Sequence, residues 1–150
     1  MELSGEYLLQ TDPETLWSAL HDPELLERCV PGCDRVTWTG EDTLTADIVL
    51  RAGTAKRRYS GRVRIADARP HERYRLLFGE PERGTSVSAL VILTPGDNGT
   101  RFRYEVEARL DGYLARLGAP VAAAIAGRIA GRFFKRLDKA LSDYPAVQSR

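Results

Sequence analysis

Apolar and polar residues alternate from Glu2 to Gln10, with Leu3, Gly5, Tyr7 and Leu9 on one side. That period of two predicts a half-buried strand. The run stops at Thr11-Asp12-Pro13-Glu14, where an acceptor side chain followed by proline sets up a helix start; Leu16, Trp17 and Leu20 then form one apolar face. A second short helix is predicted from Asp22-Pro23-Glu24, carrying Leu25 and Leu26 and ended by Pro31-Gly32.

From Asp34 to Leu110 the pattern is strands cut by turn signals at Gly40-Glu41-Asp42, Gly53-Thr54, Arg69-Pro70-His71, Pro81 to Gly84 and Pro95 to Gly99. One parity of each run is apolar: Leu44, Ala46, Ile48, Leu50; Tyr59, Gly61, Val63, Ile65; Tyr74, Leu76, Phe78; Val87, Ala89, Val91, Leu93; Phe102, Tyr104, Val106, Ala108, Leu110. Turns this short cannot hold parallel crossovers, so the reading is an antiparallel meander of about seven strands with one wet face. Arg101, Arg103, Glu105, Glu107 and Arg109 fill the opposite parity of the last strand.

The dry face needs a cover, and the remaining candidate is Asp111 to Asp143. There Leu114, Leu117, Val121, Ile125, Ile129, Phe133, Leu137 and Leu141 recur at helical spacing, with Arg128, Arg132, Lys135, Arg136 and Lys139 on the other face. Pro120 marks either a fresh helix start after Gly118 or a kink. The order strand, two short helices, hairpin sheet, long C-terminal helix is that of an α+β helix-grip domain, a curved sheet wrapped round its last helix.

The 150 residues suffice for one domain with its own core, ordered over about 1–143. A formal charge of +1 hides an uneven distribution: 11 acids and 2 bases in residues 1–50, against 10 acids and 20 bases in residues 51–150. The most apolar segment, Ala119 to Ala126, runs into Arg128, too short for a membrane span, and the N-terminus lacks the pattern of a secretion signal. A cytoplasmic location is expected, so Cys29 and Cys33 would be reduced; with no zinc-type partner set nearby, a packing role is favoured over a metal one.

A sheet curled round one helix leaves a space set by the side chains pointing into it, and Ala119, Ala122, Ala123, Ala124, Ala126, Gly127, Ala130 and Gly131 leave little volume. Such residues suit either close packing or a ligand. The expected cavity is lined by Tyr7, Trp17, Ile48, Tyr59, Val63, Tyr74, Phe78, Ala89, Phe102 and Tyr104 from the walls, and by Leu117, Val121, Ala124, Ile125 and Ile129 from the helix. Tyr59 and Tyr104 are the candidates for polar contacts to an apolar guest such as a lipid. No nucleophile with its base, carboxylate pair, metal cluster or phosphate loop survives placement, so no catalytic residue is assigned. Arg51, Lys56, Arg57, Arg58 and Arg62 crowd one predicted hairpin. They are either solvated strand charges or a landing surface for an anionic partner or membrane; without interleaved exposed aromatics, nucleic acid is not expected.

Glu2-Leu3-Ser4-Gly5-Glu6-Tyr7, Leu16-Trp17-Ser18-Ala19-Leu20 with Asp22-Pro23-Glu24, and Cys29-Val30-Pro31-Gly32-Cys33 resemble the opening of the carbon monoxide dehydrogenase G subunit (CoxG) family. Tyr113-Leu114-Ala115-Arg116-Leu117-Gly118 and Phe133-Phe134 resemble its terminal helix. The resemblance implies an SRPBCC, or START-like, domain that binds hydrophobic ligands. It also implies a non-catalytic accessory protein of a molybdenum hydroxylase of the carbon monoxide dehydrogenase kind, recruiting that enzyme to the inner face of the membrane and holding a quinone-like molecule, with no covalent cofactor. Many members carry a tail ending in an apolar anchor; this chain stops at Pro145 to Arg150 without one, so only transient electrostatic membrane contact is expected. The alternatives are a small enzyme of the polyketide cyclase or aromatase kind, and a purely structural adaptor with a solid core.

Overall fold

A computed structural model of the chain describes residues 1–52, 54–80, 85–109, 115–116 and 118–146. The first strand, β1 (Glu2–Leu9), leads into α1 (Pro13–Leu20) and α2 (Pro23–Cys29). Both helices begin with proline behind an aspartate cap. The Asp12 carboxylate accepts from Thr15 N at 2.8 Å and from Thr15 Oγ1 at 2.9 Å, and Asp22 accepts from Glu24 N at 3.1 Å. The Pro31-Gly32 element ends the helical segment. Gly32 adopts φ +76° and its carbonyl accepts from Val49 N at 2.8 Å; a Cβ there would strike the Val49 carbonyl.

Six more strands follow: β2 (Cys33–Trp38), β3 (Thr43–Ala52), β4 (Ala55–Arg69), β5 (Arg73–Glu80), β6 (Thr85–Gly96) and β7 (Gly99–Arg109). They form one antiparallel sheet in the order β1-β7-β6-β5-β4-β3-β2, so β1 closes the meander against the last strand. The turn signals at Gly40-Glu41-Asp42, Arg69-Pro70-His71 and Pro95 to Gly99 therefore fall where the hairpins turn, while Gly53 and Pro81 to Gly84 lie outside the described residues. The edge of β2 is capped from α2, whose Glu27 carboxylate accepts from Val36 N at 2.8 Å.

The long helix, α3 (Ala119–Leu141), starts at Gly118 (φ +84°) with Pro120 in its first turn, so proline opens this helix and does not kink it. Its C-terminal half seals the core. Leu137 is fully buried, with Phe134, Ala140 and Leu141, against Leu9, Leu16, Leu20, Leu25, Val91, Leu93 and Phe102. Tyr144 then donates to the Asp22 carboxylate at 3.0 Å, fastening the end of α3 to the start of α2. The fold is the α+β helix grip expected, with this core gathered at one end of it.

The N-terminal half of α3 departs from expectation. Val121, Ile125 and Ile129 are 47, 40 and 41% exposed, in line with no core neighbour. The cause is the strict four-residue repeat: each step back from Leu137 through Phe133 rotates about 40° around the helix, so the row walks off the face that Leu137 anchors.

Candidate functional site

The stripe of α3 that faces the sheet is identified by Phe134, which stacks on Tyr7 of β1 at 4.0 Å and meets Phe102 and Tyr104 of β7 at 4.9 and 5.6 Å. Three and seven residues back on the same stripe lie Gly131 and Gly127. A Cβ built on either would find nothing within 4 Å beyond the helix's own backbone. The sheet matches this bareness. Gly61 of β4 shares the inner parity of Val63 and Ile65 and pairs with Ala46, and a Cβ there also meets nothing within 4 Å. Next to this patch Phe78 of β5, paired with Val63, is 42% exposed on a face that should be dry. The inner parity of β4 and β5 at Gly61 and Phe78 and the α3 positions Gly127 and Gly131 are thus both left bare.

The sequence-predicted lining divides into three parts. Ile48 and Val63 are half-buried and Phe78 is exposed on the sheet, Tyr7 is partly exposed beneath Phe134, and Ala124, Val121, Ile125 and Ile129 are exposed on the helix. Tyr74, Ala89 and Phe102 are buried in the sheet's inner layer, and Trp17 is half-buried behind it. The side chain of Tyr59 and all of Leu117 lie outside the described residues, though Tyr59 pairs through its backbone with Ile48.

Tyr104 stands at the edge of the core, half-buried against it. Its ring crosses the bare position at Gly5, its partner on β1. Burial and the neighbouring Tyr7 phenol push its ionisation up, so it stays a neutral hydrogen-bond donor. Among the described residues neither Tyr7 nor Tyr104 spends its hydroxyl on a protein partner, which leaves two phenols available beside Phe134.

A second aromatic group, which the residue pattern alone did not assemble, packs against the same core through Trp17 and Tyr74. His21 lies on Trp17 at 4.5 Å, edge-on to Tyr74 at 5.0 Å and parallel to Trp38 at 6.4 Å. Its Nδ1 donates to the Trp17 carbonyl at 2.7 Å, so the neutral ring carries its proton there, while Trp38 Nε1 donates to the His21 carbonyl at 3.2 Å. The available signal was His21 four residues after Trp17 on one helix face. Gly61 was also legible, since a glycine inside a strand marks a bare or closely approached spot.

Cys29 is fully buried and Cys33 half-buried. Burial raises both thiols above their ordinary range, which suits packing groups. Among the described residues no group of His, Cys, Asp and Glu could hold a metal, and no helix is long and apolar enough to cross a membrane.

Of the basic hairpin, Lys56, Arg58 and Arg62 are exposed, and Arg58 is held by Asp34 of β2 at 3.0 Å; the side chains of Arg51 and Arg57 lie outside the described residues. Arg62 instead joins Arg64 and Arg109 in a cleft of about 880 Å³ on the outer face of the sheet. A second cleft, of about 910 Å³, lies at the β4–β5 turn between Asp12, His71 and Pro95.

No curated protein matches the chain. Among solved structures, a conserved protein from Geobacillus kaustophilus superposes with a TM-score of 0.83 at 28% identity, covering 95% of this chain and 96% of that one. A protein from Thermus thermophilus gives 0.73 at 16% identity over 95% and 98%. The di-domain ARO/CYC StfQ of the steffimycin biosynthetic pathway gives 0.70 at 13% identity, covering 95% of this chain and 50% of its own, a likeness of fold alone. Residues 5–142 match the family model of the carbon monoxide dehydrogenase G subunit (CoxG), and the chain, a helix grip with its Pro-Gly-Cys element seated on β3, belongs to that family.

Proposed function

We propose that the protein is a non-catalytic carrier accessory to a molybdenum hydroxylase of the carbon monoxide dehydrogenase kind, and that it holds a flat apolar molecule of the quinone class in a sheet–helix groove. One observation supports this above the others: α3 is bare at Gly127 and Gly131, on the stripe that Phe134 presses against the sheet, and the inner parity of β4 is equally bare at Gly61. A solid adaptor core would fill those positions, because unfilled interior forfeits dispersion contacts and apolar burial. A quinone ring fits such a slot, with its carbonyls accepting from the Tyr104 and Tyr7 phenols. Membership of the CoxG family supports the choice of enzyme partner. The basic residues Lys56 and Arg62, with Arg51 and Arg57, give transient attraction to an anionic membrane surface from the cytoplasmic side.

Native mass spectrometry of the protein as purified, followed by titration with a short-tailed menaquinone or ubiquinone read by quenching of Trp17 and Trp38, tests the reading. A co-purifying apolar mass, or saturable quenching weakened about fivefold to tenfold by Tyr104→Phe, is the expected result. No bound mass and no saturable quenching overturns it. Turnover of a cyclic polyketone that Tyr104→Phe abolishes would put a cyclase in its place.

A further inference from the structure

We infer that the outer face of the sheet carries a docking cleft for an extended acidic segment of a partner protein. The cleft follows from strand register. One row of facing residues runs Thr43, Arg64, Leu77, Ser88, Glu107, Glu2 across β3, β4, β5, β6, β7 and β1. In the neighbouring row Gly79 faces Ser86, which faces Arg109, with Arg62 beside them on β4. The second row is low in its middle, since Gly79 has no side chain and Ser86 a short one; in the first row Leu77 and the short Ser88 lie between Arg64 and Glu107. The ends are long. Arginines on β4 and β7 therefore stand as walls over a low floor, which accounts for a cleft of about 880 Å³ on a face that would otherwise be flat.

The charges are available. Arg62, Arg64 and Arg109 are exposed, and among the described residues none of them forms an ion pair. Arg75 donates to Ser88 Oγ at 3.2 Å, which leaves the Ser88 hydrogen free to donate into the cleft. The N-terminal ammonium is fixed at the rim by the Ala108 carbonyl at 2.8 Å. Glu2 and Glu107 bound the β1 end of the first row, so acidic groups are favoured at Arg62 and Arg64 and along the Arg109 side, away from Glu2.

The spacing selects the occupant. β4 and β7 are three strand intervals apart, about 14 Å at roughly 4.8 Å each, the span of four residues of extended chain at about 3.4 Å per residue. Two carboxylates at positions i and i+4 point to the same side of such a chain and reach both walls, while a small residue at i+2 clears the serine floor. A lone phosphate reaches one wall only. A flat bilayer does not reach a floor set below arginines, and Glu2 and Glu107 in the lining oppose a nucleic-acid backbone. The cleft shares Arg62 with the proposed membrane contact but none of the residues proposed to hold the apolar guest, so this inference stands apart from the ligand-binding reading.

A fluorescein-labelled, end-capped peptide with glutamates four residues apart and serine between, followed by fluorescence anisotropy against the full chain, tests it. Saturable binding is expected. Arg64→Glu and Arg109→Glu each weaken it about tenfold or more, and Ser86→Trp weakens it comparably by filling the floor without changing charge, with thermal melts confirming that each variant is folded. Arg58→Glu, whose arginine is held by Asp34 outside the cleft, stays within about twofold. Equal binding of a peptide with glutamines for glutamates, or a loss in Arg58→Glu as large as in Arg109→Glu, overturns the cleft in favour of diffuse charge attraction. Absence of peptide binding, with phosphatidylserine vesicles bound through the same arginines, overturns it in favour of a lipid surface.

Discussion

Tyr104 lies across Gly5, its directly paired neighbour on β1, so that a side chain at position 5 would overlap the phenol. The same ring stacks near Phe134 at 5.6 Å and 21°, which ties β1, β7 and α3 together through one aromatic. Gly5→Ala must push the ring off both contacts, and overpacking of this kind costs about 1–3 kcal/mol. Urea unfolding should show that loss. Removing the obstructing ring as well, in Gly5→Ala with Tyr104→Ala, should make the alanine nearly neutral relative to Tyr104→Ala alone; additive losses would mean that the crowding is not the cause.

The helix glycines predict the opposite sign. Gly127→Ala and Gly131→Ala meet open space, so each should stabilise the fold by up to about 1 kcal/mol through helix propensity alone. Gly127→Leu and Gly131→Leu fill the groove instead. They should keep the melting temperature within a few degrees while cutting quinone quenching at least tenfold, and unchanged quenching would place any guest elsewhere.

Strands and turns were legible because inward parity and Gly/Pro punctuation act over a few residues, as at Leu44 to Leu50 and Pro95 to Gly99. The aspartate-proline helix starts at Asp12 and Asp22 were legible for the same reason. The outward drift of Val121, Ile125 and Ile129 was not, since a four-residue repeat looks like one face on paper and rotates off it over three turns. The aromatic stack joins His21 to Trp38, and the outer cleft joins Arg64 to Arg109. Both depend on which hairpin lies beside which, a long-range property that no local pattern carries.

Asp12 holds the start of α1 through two bonds to Thr15. Asp12→Ala should cost about 1 kcal/mol, and Asp12→Asn, which keeps a cap acceptor, less. Burial by itself raises this carboxyl, but the hydrogen bonds from the Thr15 backbone and side chain outweigh it and hold the group below its ordinary 3.8. Its contribution is therefore full above that value and lost as pH falls through the lower folded one. Acid unfolding followed by circular dichroism should begin at higher pH in Asp12→Ala than in the parent chain.

His21 sets the pH response at milder acidity. Burial among Trp17, Tyr74 and Trp38 lowers its ionisation below the ordinary 6.5, and the hydrogen bond to the Trp17 carbonyl offsets only part of that. The unfolded chain then binds the proton more readily than the folded one, so His21 contributes nothing unfavourable above about pH 7 and destabilises progressively as pH falls from 6.5 towards the folded value. Urea midpoints should drop as pH falls below 6.5, with quenching of the stacked Trp17 setting in at lower pH as the imidazolium forms in the folded chain. His21→Phe keeps the stack without the titration and should flatten this part of the profile. A slope that survives the substitution would move the sensor to another group and leave His21 a packing residue.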